Sequence, residues 1–442
     1  MRHTIVVDLG YGDAGKGTVV DWLCATRPVP AVVRFNGGAQ AGHNVVTADG
    51  RSHTFAQFGS GTLHGVPTLL SRFMVLDPLA LTAEAEHLAS LGVPDPYGLL
   101  TVDGDALVAT PYHRAVNRAR ELARGDARHG SCGMGVGETV AHSLDHPDDA
   151  VRAGDLTSPR ALRRKLTALR SWAAEVTATV EPVDPCADVY AAVADRLRIV
   201  PGAYLRALMR QGGCVFEGAQ GVLLDEWRGF HPYTTWSTTT FDNVDALLAE
   251  TGTTTMRLGV IRIFTTRHGA GPMVTEDPAL TAALVDPHNS TGEWQGAFRV
   301  GHFDAVAHRY AVEVCGGVDG LALTHLDVAA QTKELRLCRS YLIDGTEADR
   351  LQPGPFRDLD HQEVLTARLL AARPRLDPEP PSTGSPNDWI AAVEGAVGAP
   401  VLLASHGPTA DDKAIPVDRA ALADATRVGS WPAPRRPATV CR

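Results

Sequence analysis

A glycine-rich stretch near the start of the chain, GYGDAGKG at 10–17, has the residue types of a phosphate-binding loop. It follows a β-branched strand pattern and precedes a helical pattern that starts near Thr18. Glycines let backbone amides approach phosphate oxygens, and a helix N-terminus adds favourable partial positive charge. The residues that we expect around the phosphates are Gly12, Gly15, Lys16 and Gly17. A plain turn between a strand and a helix is the alternative interpretation.

Asp13 and Gly17 are the unusual residues of this loop. Gly17 stands where the usual phosphate-loop motif has Ser or Thr, whose hydroxyl group binds Mg²⁺. A carboxylate such as Asp13 repels a phosphate unless it binds a metal ion or takes a proton. Asp13 therefore favours a chemical site over a structural turn.

The rest of the chain alternates short apolar segments with helical patterns. The strand-like segments are TIVVDLG, AVVRF, FMVLDP, CVFEGA, LGVIRIF, GLALTHLDV and VLLAS. The segments with helical periodicity are ALTAEAEHLASLG, YHRAVNRARELARG, SPRALRRKLTALRSWAAEVTATV and FDAVAHRYAVEVCGG. This alternation predicts an α/β fold around a mostly parallel central sheet, with ligands at the carboxyl ends of the strands.

Composition and charge exclude several classes of partner. The formal net charge of −10 over 442 residues argues against a nucleic-acid or membrane surface. The seven scattered cysteines form no C-x-x-C pair, so we expect reduced thiols, no disulfide and no zinc site. No apolar run approaches the length of a membrane span or a signal sequence. We expect a cytoplasmic location.

Domain boundaries are weak in this sequence. We predict one large domain at 1–428, in which residues from about 100 to 210 form a largely helical subdomain that contributes to the acceptor site. The Pro-rich stretch RPRLDPEPPSTGSPND at 373–388 predicts a long surface loop, and 429–442 predicts a tail.

Seven blocks of the sequence resemble, in order, the signature of the adenylosuccinate synthetase family. They are YGDAGKG, RFNGGAQAGHNVV, FEGAQGVLLD, HPYTTWSTTT, FTTRHGAGPMVTE, LTHLDV and SHGPT, and they extend from the first strand to about residue 410. The resemblance implies a large α/β domain and a homodimer. It also implies that GTP phosphorylates a lactam oxygen, after which an amine displaces the phosphate.

The resemblance assigns the chemical roles. Asp13 would remove the ring N–H proton of the acceptor and bind Mg²⁺, with the Gly42 carbonyl as a second metal ligand. His43 would donate a hydrogen bond or proton to the phosphate bridge as GDP leaves, and Lys16 would hold the phosphates. With the metal ion held by a loop carboxylate, no hydroxyl is required at Gly17.

The resemblance also implies guanine recognition. Asp327, in THLDV, corresponds to the family's aspartate that accepts hydrogen bonds from guanine N1 and N2, which adenine cannot supply. Ser405 and Gly407 match the second guanine-contacting segment. His325 replaces the usual lysine, and an uncharged flat ring could stack there instead. A simple strand-end cap is the alternative for Asp327.

The acceptor half departs from the family pattern. GGAQAGH replaces GGHNAGH, so Gln40 stands for an IMP-contacting asparagine. In SCGMGVGET at 131–139, Cys132 replaces a phosphate-binding threonine and Met134 an arginine. Gln220 and Thr235 resemble the remaining IMP contacts. We therefore expect an acceptor without a phosphate group, or one whose phosphate is bound differently.

The loop that resembles the family's aspartate-binding segment also differs. STGEWQGAFRVGHFD at 290–304 contains Thr291 and a single arginine, Arg299, whereas the family's segment has several arginines. Arg267 in TTRHGAG resembles a further family arginine near the amine site. A dianion held by bidentate arginines is not held equally well by this loop. A misalignment of a mobile loop is the alternative.

These patterns predict a GTP-dependent, Mg²⁺-requiring ligase with adenylosuccinate-synthetase chemistry and a changed acceptor and amine. Two alternatives remain open. One is an authentic adenylosuccinate synthetase in which Arg267 or Arg309 substitutes for the missing arginines. The other is a GTP-binding regulator that has lost turnover, which the joint presence of Asp13 and His43 disfavours.

Overall fold

The structure is a computed structural model that describes residues 2–125, 128, 130–249, 251–285, 294–332, 334–381 and 385–416. Two sequence predictions, the role of Thr291 and the tail at 429–442, lie outside the described residues.

Twelve helices and twenty strands are formed by the described residues. The helices are α1 (Lys16–Thr26), α2 (Pro78–Ser90), α3 (Pro111–Ala123), α4 (Val136–Asp145), α5 (Pro159–Ala174), α6 (Val183–Ala194), α7 (Tyr204–Met209), α8 (Asp242–Leu248), α9 (Pro278–Ala283), α10 (Ala305–Val314), α11 (Leu359–Ala371) and α12 (Pro386–Val397). The strands are β1 (Arg2–Asp8), β2 (Val32–Arg34), β3 (His43–Val46), β4 (Ser52–Phe55), β5 (Thr68–Leu70), β6 (Val75–Leu76), β7 (Leu100–Asp103), β8 (Leu107–Val108), β9 (Arg198–Val200), β10 (Val215–Gly221), β11 (Thr254–Arg262), β12 (Thr265–His268), β13 (Phe298–Gly301), β14 (Phe303–Asp304), β15 (Gly320–Thr324), β16 (Leu337–Ile343), β17 (Thr346–Ala348), β18 (Arg373–Leu376), β19 (Val401–Ser405) and β20 (Lys413–Ala414).

A ten-stranded sheet organises the molecule, with the strand order β20-β19-β15-β11-β1-β10-β2-β5-β7-β9. All neighbouring strands in it are parallel except β19 and β20. β1 lies between β10 and β11, and its β-branched residues are buried because helices and other elements cover both faces. The α/β fold with a mostly parallel central sheet is therefore confirmed.

Residues 100–210 contain helices α3 to α7, packed around an apolar core. Helix α5 shows how the sequence builds this core, because Leu162, Leu166, Leu169 and Ala173 recur at helical spacing and are buried together. Strands β7 and β9 from the same segment join the central sheet, so its helices pack directly beside that sheet. Of the helices in the described ranges, none combines the length and apolarity that a membrane crossing requires.

The prediction of a continuous surface loop at 373–388 is wrong at both ends. Arg373–Leu376 forms β18, which pairs antiparallel with β16, and α12 begins at Pro386. The proline content misled the prediction, because Pro374 sits in a strand that pairs along one edge and Pro386 occupies the first turn of a helix. Both positions tolerate a residue without a backbone N–H.

Candidate active site

The phosphate-binding loop connects the end of β1 to the start of α1. Its chain reverses through three residues in the left-handed region, Gly12 (φ 97°), Asp13 (φ 59°) and Gly15 (φ 94°). Helix α1 then begins at Lys16, so its free N–H groups point back towards the loop. A non-glycine residue at positive φ is strained, and the strain at Asp13 coincides with the residue expected to act as base.

Lys16 is held by a carboxylate at the end of β1. Its Nζ lies 3.0 Å from Asp8 Oδ2, and both side chains are buried. The same carboxylate accepts hydrogen bonds from the backbone N–H groups of Gly10 and Ala14, each at 2.8 Å. Asp8 therefore shapes the loop and fixes the lysine at its base.

Asp13 is paired with a histidine from a distant strand. His268 Nε2 at the end of β12 lies 3.2 Å from Asp13 Oδ2. Burial alone would raise the pKa of Asp13, but the hydrogen bond from His268 and the charges of Arg262 and Lys16 hold this pKa below its ordinary value. The Asp13 carboxylate is therefore ionised at neutral pH, as both a base and a metal ligand require.

His43 lies beside the loop and is oriented by a buried glutamate. Its Nδ1 is 2.6 Å from Glu217 Oε1 on β10, and Glu217 also accepts from the backbone N–H and hydroxyl of Ser60. Burial would raise the pKa of Glu217, but His43 and Arg34 hold it below its ordinary value. Burial and the Arg34 charge lower the pKa of His43, so the ring is neutral and donates from Nδ1. Its Nε2 atom is buried and has no hydrogen-bond partner among the described residues, so it is available to a ligand.

The residues expected to contact the guanine base follow two neighbouring strands. β15 pairs with β19, so Asp327, just after β15, and Ser405, at the end of β19, lie at the same edge of the sheet. Asp327 is exposed, and Ser405 Oγ donates to the Gly407 carbonyl at 3.1 Å. The Thr18 hydroxyl of α1 donates to the Pro408 carbonyl at 2.8 Å, which ties this segment to the phosphate loop.

His325 occupies the position where the family pattern has lysine. Its Nδ1 lies 3.0 Å from Thr324 Oγ1, and its ring meets that of Phe264 edge-on with centroids 5.3 Å apart. Burial and nearby positive charges lower the pKa of His325 well below its ordinary value. The ring is therefore neutral, as the sequence analysis expected.

Two of the four residues expected at the acceptor carry unsatisfied amide groups. The Oε1 atoms of Gln40 and Gln220 are buried and have no hydrogen-bond partner among the described residues. Gln220 adopts φ 61° directly beside the backbone of Gly12. Cys132 is partly buried, and burial raises the pKa of its thiol. The backbone N–H of Thr235 donates a hydrogen bond to the Leu224 carbonyl. The two glutamines thus offer hydrogen-bonding groups to a ligand, and Gln220 does so next to the phosphate loop.

The arginines expected near the amine are engaged within the chain. Arg299 on β13 pairs with Glu276 at 2.6 Å and also donates to the Gly271 carbonyl. Arg267 is buried and donates to three backbone carbonyls at 2.9 to 3.0 Å. Arg309 donates to backbone carbonyls of β16 and α12 and so braces α10. The roles of Arg267 and Arg299 in amine binding stay predictions.

The residues present fit a Mg²⁺ ion that completes its shell with substrate. Mg²⁺ prefers oxygen ligands and is commonly bound by one or two protein groups together with phosphates and water. Asp13 offers an ionised, partly exposed carboxylate, and Gly42 is exposed immediately before His43. Within the described residues, no group of three or more His, Cys, Asp or Glu side chains could hold a metal ion alone.

Sequence reasoning missed the partners of the catalytic candidates. Glu217 lies in FEGAQG, where a charged residue in an otherwise apolar strand was the available signal, whereas His268 lies in the polar segment TTRHGAG, which carries no such signal. Asp8 at the end of β1 gave the same signal as Glu217. Their pairing with His43, Asp13 and Lys16 depends on strand order, which the sequence did not supply.

Comparisons with known proteins identify the family of this chain. The family model described as adenylosuccinate synthetase matches residues 5–414. The chain is similar to the adenylosuccinate synthetase of Marinomonas sp. (strain MWYL1), at 33% identity over 436 residues, 92% of this chain and 96% of the relative. It is 34% identical to that of Nostoc punctiforme over 362 residues, 79% of each chain.

Solved structures show the same fold. A fully ligated adenylosuccinate synthetase from Plasmodium falciparum superposes with a TM-score of 0.81 at 21% identity, over 94% of this chain and 100% of that one. The cyanophage S-2L succinoaminodeoxyadenylate synthetase, bound to dGMP and to dATP as an energy donor, gives a TM-score of 0.59 at 20% identity, over 94% and 95% of the two chains. The chain therefore belongs to the adenylosuccinate synthetase family, whose members are GTP-dependent ligases that form a C–N bond.

Proposed function

We propose that this family member joins an amine other than aspartate to a lactam-type acceptor other than IMP, at the expense of GTP. The observation that carries this proposal is that Arg299 is already paired with a carboxylate. It is the single arginine in the loop at 290–304, and its charge is already matched by Glu276 at 2.6 Å. With its single arginine already paired, this loop lacks the bidentate cations that would bind the second carboxylate of aspartate.

The residues on the GTP side support unchanged activation chemistry. Asp13 takes the N–H proton of the lactam, and the lactam oxygen then attacks the γ-phosphorus of GTP while the bond to GDP breaks. The negative charge of the phosphates favours a protonated His43, whose Nε2 donates to the bridging oxygen as GDP leaves. The amine nitrogen then bonds to the activated carbon, phosphate leaves with the oxygen, and the nitrogen loses a proton.

The remaining residues orient these groups. Glu217 fixes the tautomer and direction of the His43 ring, and Lys16 neutralises phosphate charge. We infer that Asp13 and the Gly42 carbonyl would hold a Mg²⁺ ion, which would supply charge neutralisation at the transferring phosphate. We also retain a homodimer in this proposal, and sedimentation equilibrium of the purified protein tests it.

A structural neighbour with the same fold supports a change of nucleotide. The cyanophage synthetase binds dGMP and uses dATP as its energy donor, so the fold accommodates nucleotides other than IMP and GTP. In this chain Asp327 lies in the short helical turn just after β15, which favours GTP as the donor.

GDP release by the purified protein with GTP and Mg²⁺ tests the proposal. The reactions compare IMP plus L-aspartate with each alone, with ATP in place of GTP, and with panels of purine lactams and amino acids. We expect little turnover of IMP plus aspartate and at least tenfold faster turnover of another pair. Asp13→Asn should abolish that turnover, and Asp188→Asn, an exposed aspartate on α6, is the matched control.

Two results would overturn the proposal. Robust turnover that requires both IMP and aspartate would identify an authentic adenylosuccinate synthetase. GTP binding without turnover for any pair, unchanged by Asp13→Asn, would identify a GTP-binding regulator.

A further inference from the structure

The Trp294 side chain packs on the SCGMGVGET segment at 131–139, which we call the acceptor loop. A Cβ atom added to Gly133 would lie 3.0, 3.1 and 3.2 Å from Cγ, Cδ2 and Cδ1 of the indole, so the ring face covers this glycine. Gly133 has φ 71°, and glycine is therefore required there for both backbone and contact reasons. Trp294 thus joins the loop at 290–304 to the SCGMGVGET segment.

The chain around Trp294 also approaches the catalytic loop residues. The carbonyl of Gln295 packs against Gly269 and Gly130, close enough that a Cβ on Gly269 would clash with it. Gly269 directly follows His268, whose ring contacts Asp13. Trp294 and Gln295 together therefore bridge the acceptor loop, through the indole, and the turn beside the expected base, through the Gln295 carbonyl.

Two guanidinium groups flank the indole. Arg118 Cζ lies 5.4 Å and Arg128 Cζ 6.0 Å from the ring centroid, and Arg118 Nε donates to the Gly133 carbonyl at 3.2 Å. Neither guanidinium has a carboxylate partner among the described residues, and cation–π attraction holds both beside the ring. Trp294 is only partly buried, so some of its apolar surface remains open beside positive charge.

We infer that Trp294 determines the amine specificity of this enzyme, and that the amine is an α-amino acid with one carboxylate and an apolar or aromatic side chain. This inference rests on the proposed function. The side chain would pack on the open indole surface, and the single carboxylate would meet the charge of Arg118 and Arg128. Neither Arg299 nor Arg267 is open to a second carboxylate, because Arg299 is matched by Glu276 and Arg267 is occupied by backbone carbonyls.

Binding of L-phenylalanine, L-leucine and L-aspartate to the full chain, loaded with GDP and Mg²⁺, tests this inference by calorimetry. We expect both apolar amino acids to bind at least tenfold more tightly than aspartate, since burying such a side chain contributes about tenfold or more. Trp294→Ala should remove the preference and Trp294→Phe should keep most of it. Phe356→Ala is the matched control, because Phe356 is also an exposed aromatic flanked by two arginines, Arg228 and Arg357.

The outcomes separate this inference from the proposed function. Aspartate binding equal to or tighter than phenylalanine binding, a preference unchanged in Trp294→Ala, or no binding of either apolar amino acid would each overturn the role of Trp294. A thermal melt of each variant confirms that it is folded. GDP release is scored independently, and its absence with every pair would contradict the proposed function whatever the binding preference.

Discussion

Gly17 packs so closely against His43 that a Cβ atom at residue 17 would lie 2.9 Å from the Cβ atom of His43. Real Cβ atoms essentially never approach this closely, so helix α1 and strand β3 can meet here only because residue 17 has no side chain. A Ser or Thr at residue 17, as in an ordinary phosphate loop, would displace His43. Close packing against His43 therefore explains why a glycine occupies this position.

Gly17→Ser should therefore impair catalysis more than folding. A displacement of about 1 Å at His43 is expected to lower kcat roughly 100-fold, as misplaced catalytic groups do. Steady-state GDP release measures it on the pair found active. Gly395→Ser in α12 is the control, because a Cβ there meets nothing within 4 Å. Equal activity of the two variants would show that His43 tolerates the shift.

Glu217→Gln should weaken the orientation of His43. The amide offers one acceptor oxygen where the carboxylate serves both His43 and Ser60, and we expect kcat to fall about 100-fold, the usual scale for acid–base assistance. Glu84→Gln is a close control, since Glu84 is also buried and accepts backbone N–H groups of Ala56, Gln57 and Phe58. That variant should lose stability and keep kcat. Similar losses of kcat in both would contradict an orienting role for Glu217.

Asp327→Ala should weaken GTP binding and the preference for guanine. Two hydrogen bonds to a charged carboxylate are lost, which corresponds to roughly 100-fold in affinity. Equilibrium binding of GTP, ITP and ATP measures this, and ITP, which lacks the N2 group, should lose less. Asp411→Ala, an exposed neighbour in the segment after Ser405, should bind GTP normally. Unchanged discrimination in Asp327→Ala would remove this residue from the base site.

Asp304 should make stability depend on pH. This buried carboxylate caps α10 and accepts a hydrogen bond from Tyr341, and burial raises its pKa to about 6. The folded state therefore binds the proton more tightly than the unfolded state. The resulting stabilisation is complete below about pH 4 and is lost as the pH rises through about 6.

Asp304→Asn should accordingly stabilise the protein at pH 7.5 by roughly 1 to 3 kcal/mol relative to its effect at pH 4.5. Urea unfolding at both pH values measures the difference. Asp358→Asn removes a carboxylate that caps α11 and controls for loss of a capping charge. Parallel pH profiles for wild type and Asp304→Asn would show that this carboxyl does not titrate as described.

Local patterns in the sequence were sufficient to predict the elements that carry the site. The strand VLLAS coincides with β19, and the turn before Lys16 follows from its glycines. Such features depend on neighbouring residues, so a short segment contains the information. The same holds for Asp327, which lies three residues after the buried strand β15.

Contacts between residues that are distant in the chain could not be predicted from the sequence. Glu217 on β10 meets His43 on β3 although the two strands belong to different sheets, and Trp294 meets Gly133 although 161 positions separate them in the numbering. Arg267 has a residue type that commonly binds carboxylates, but in the folded chain its guanidinium donates to three backbone carbonyls. The outcome for such residues depends on packing, which residue type and spacing do not determine.

The placement of β1 between β10 and β11 has a consequence for biosynthesis. During synthesis, β1 has no partner in the sheet until residues 215–262 have been made, and the segment proposed to contact the base arrives only near residue 405. Such distant pairings slow folding, because a long loop must close before the contacts form. A nascent chain thus carries the phosphate-loop sequence long before β10 and β11 flank it, and a product truncated before Ser405 would lack part of the proposed guanine site.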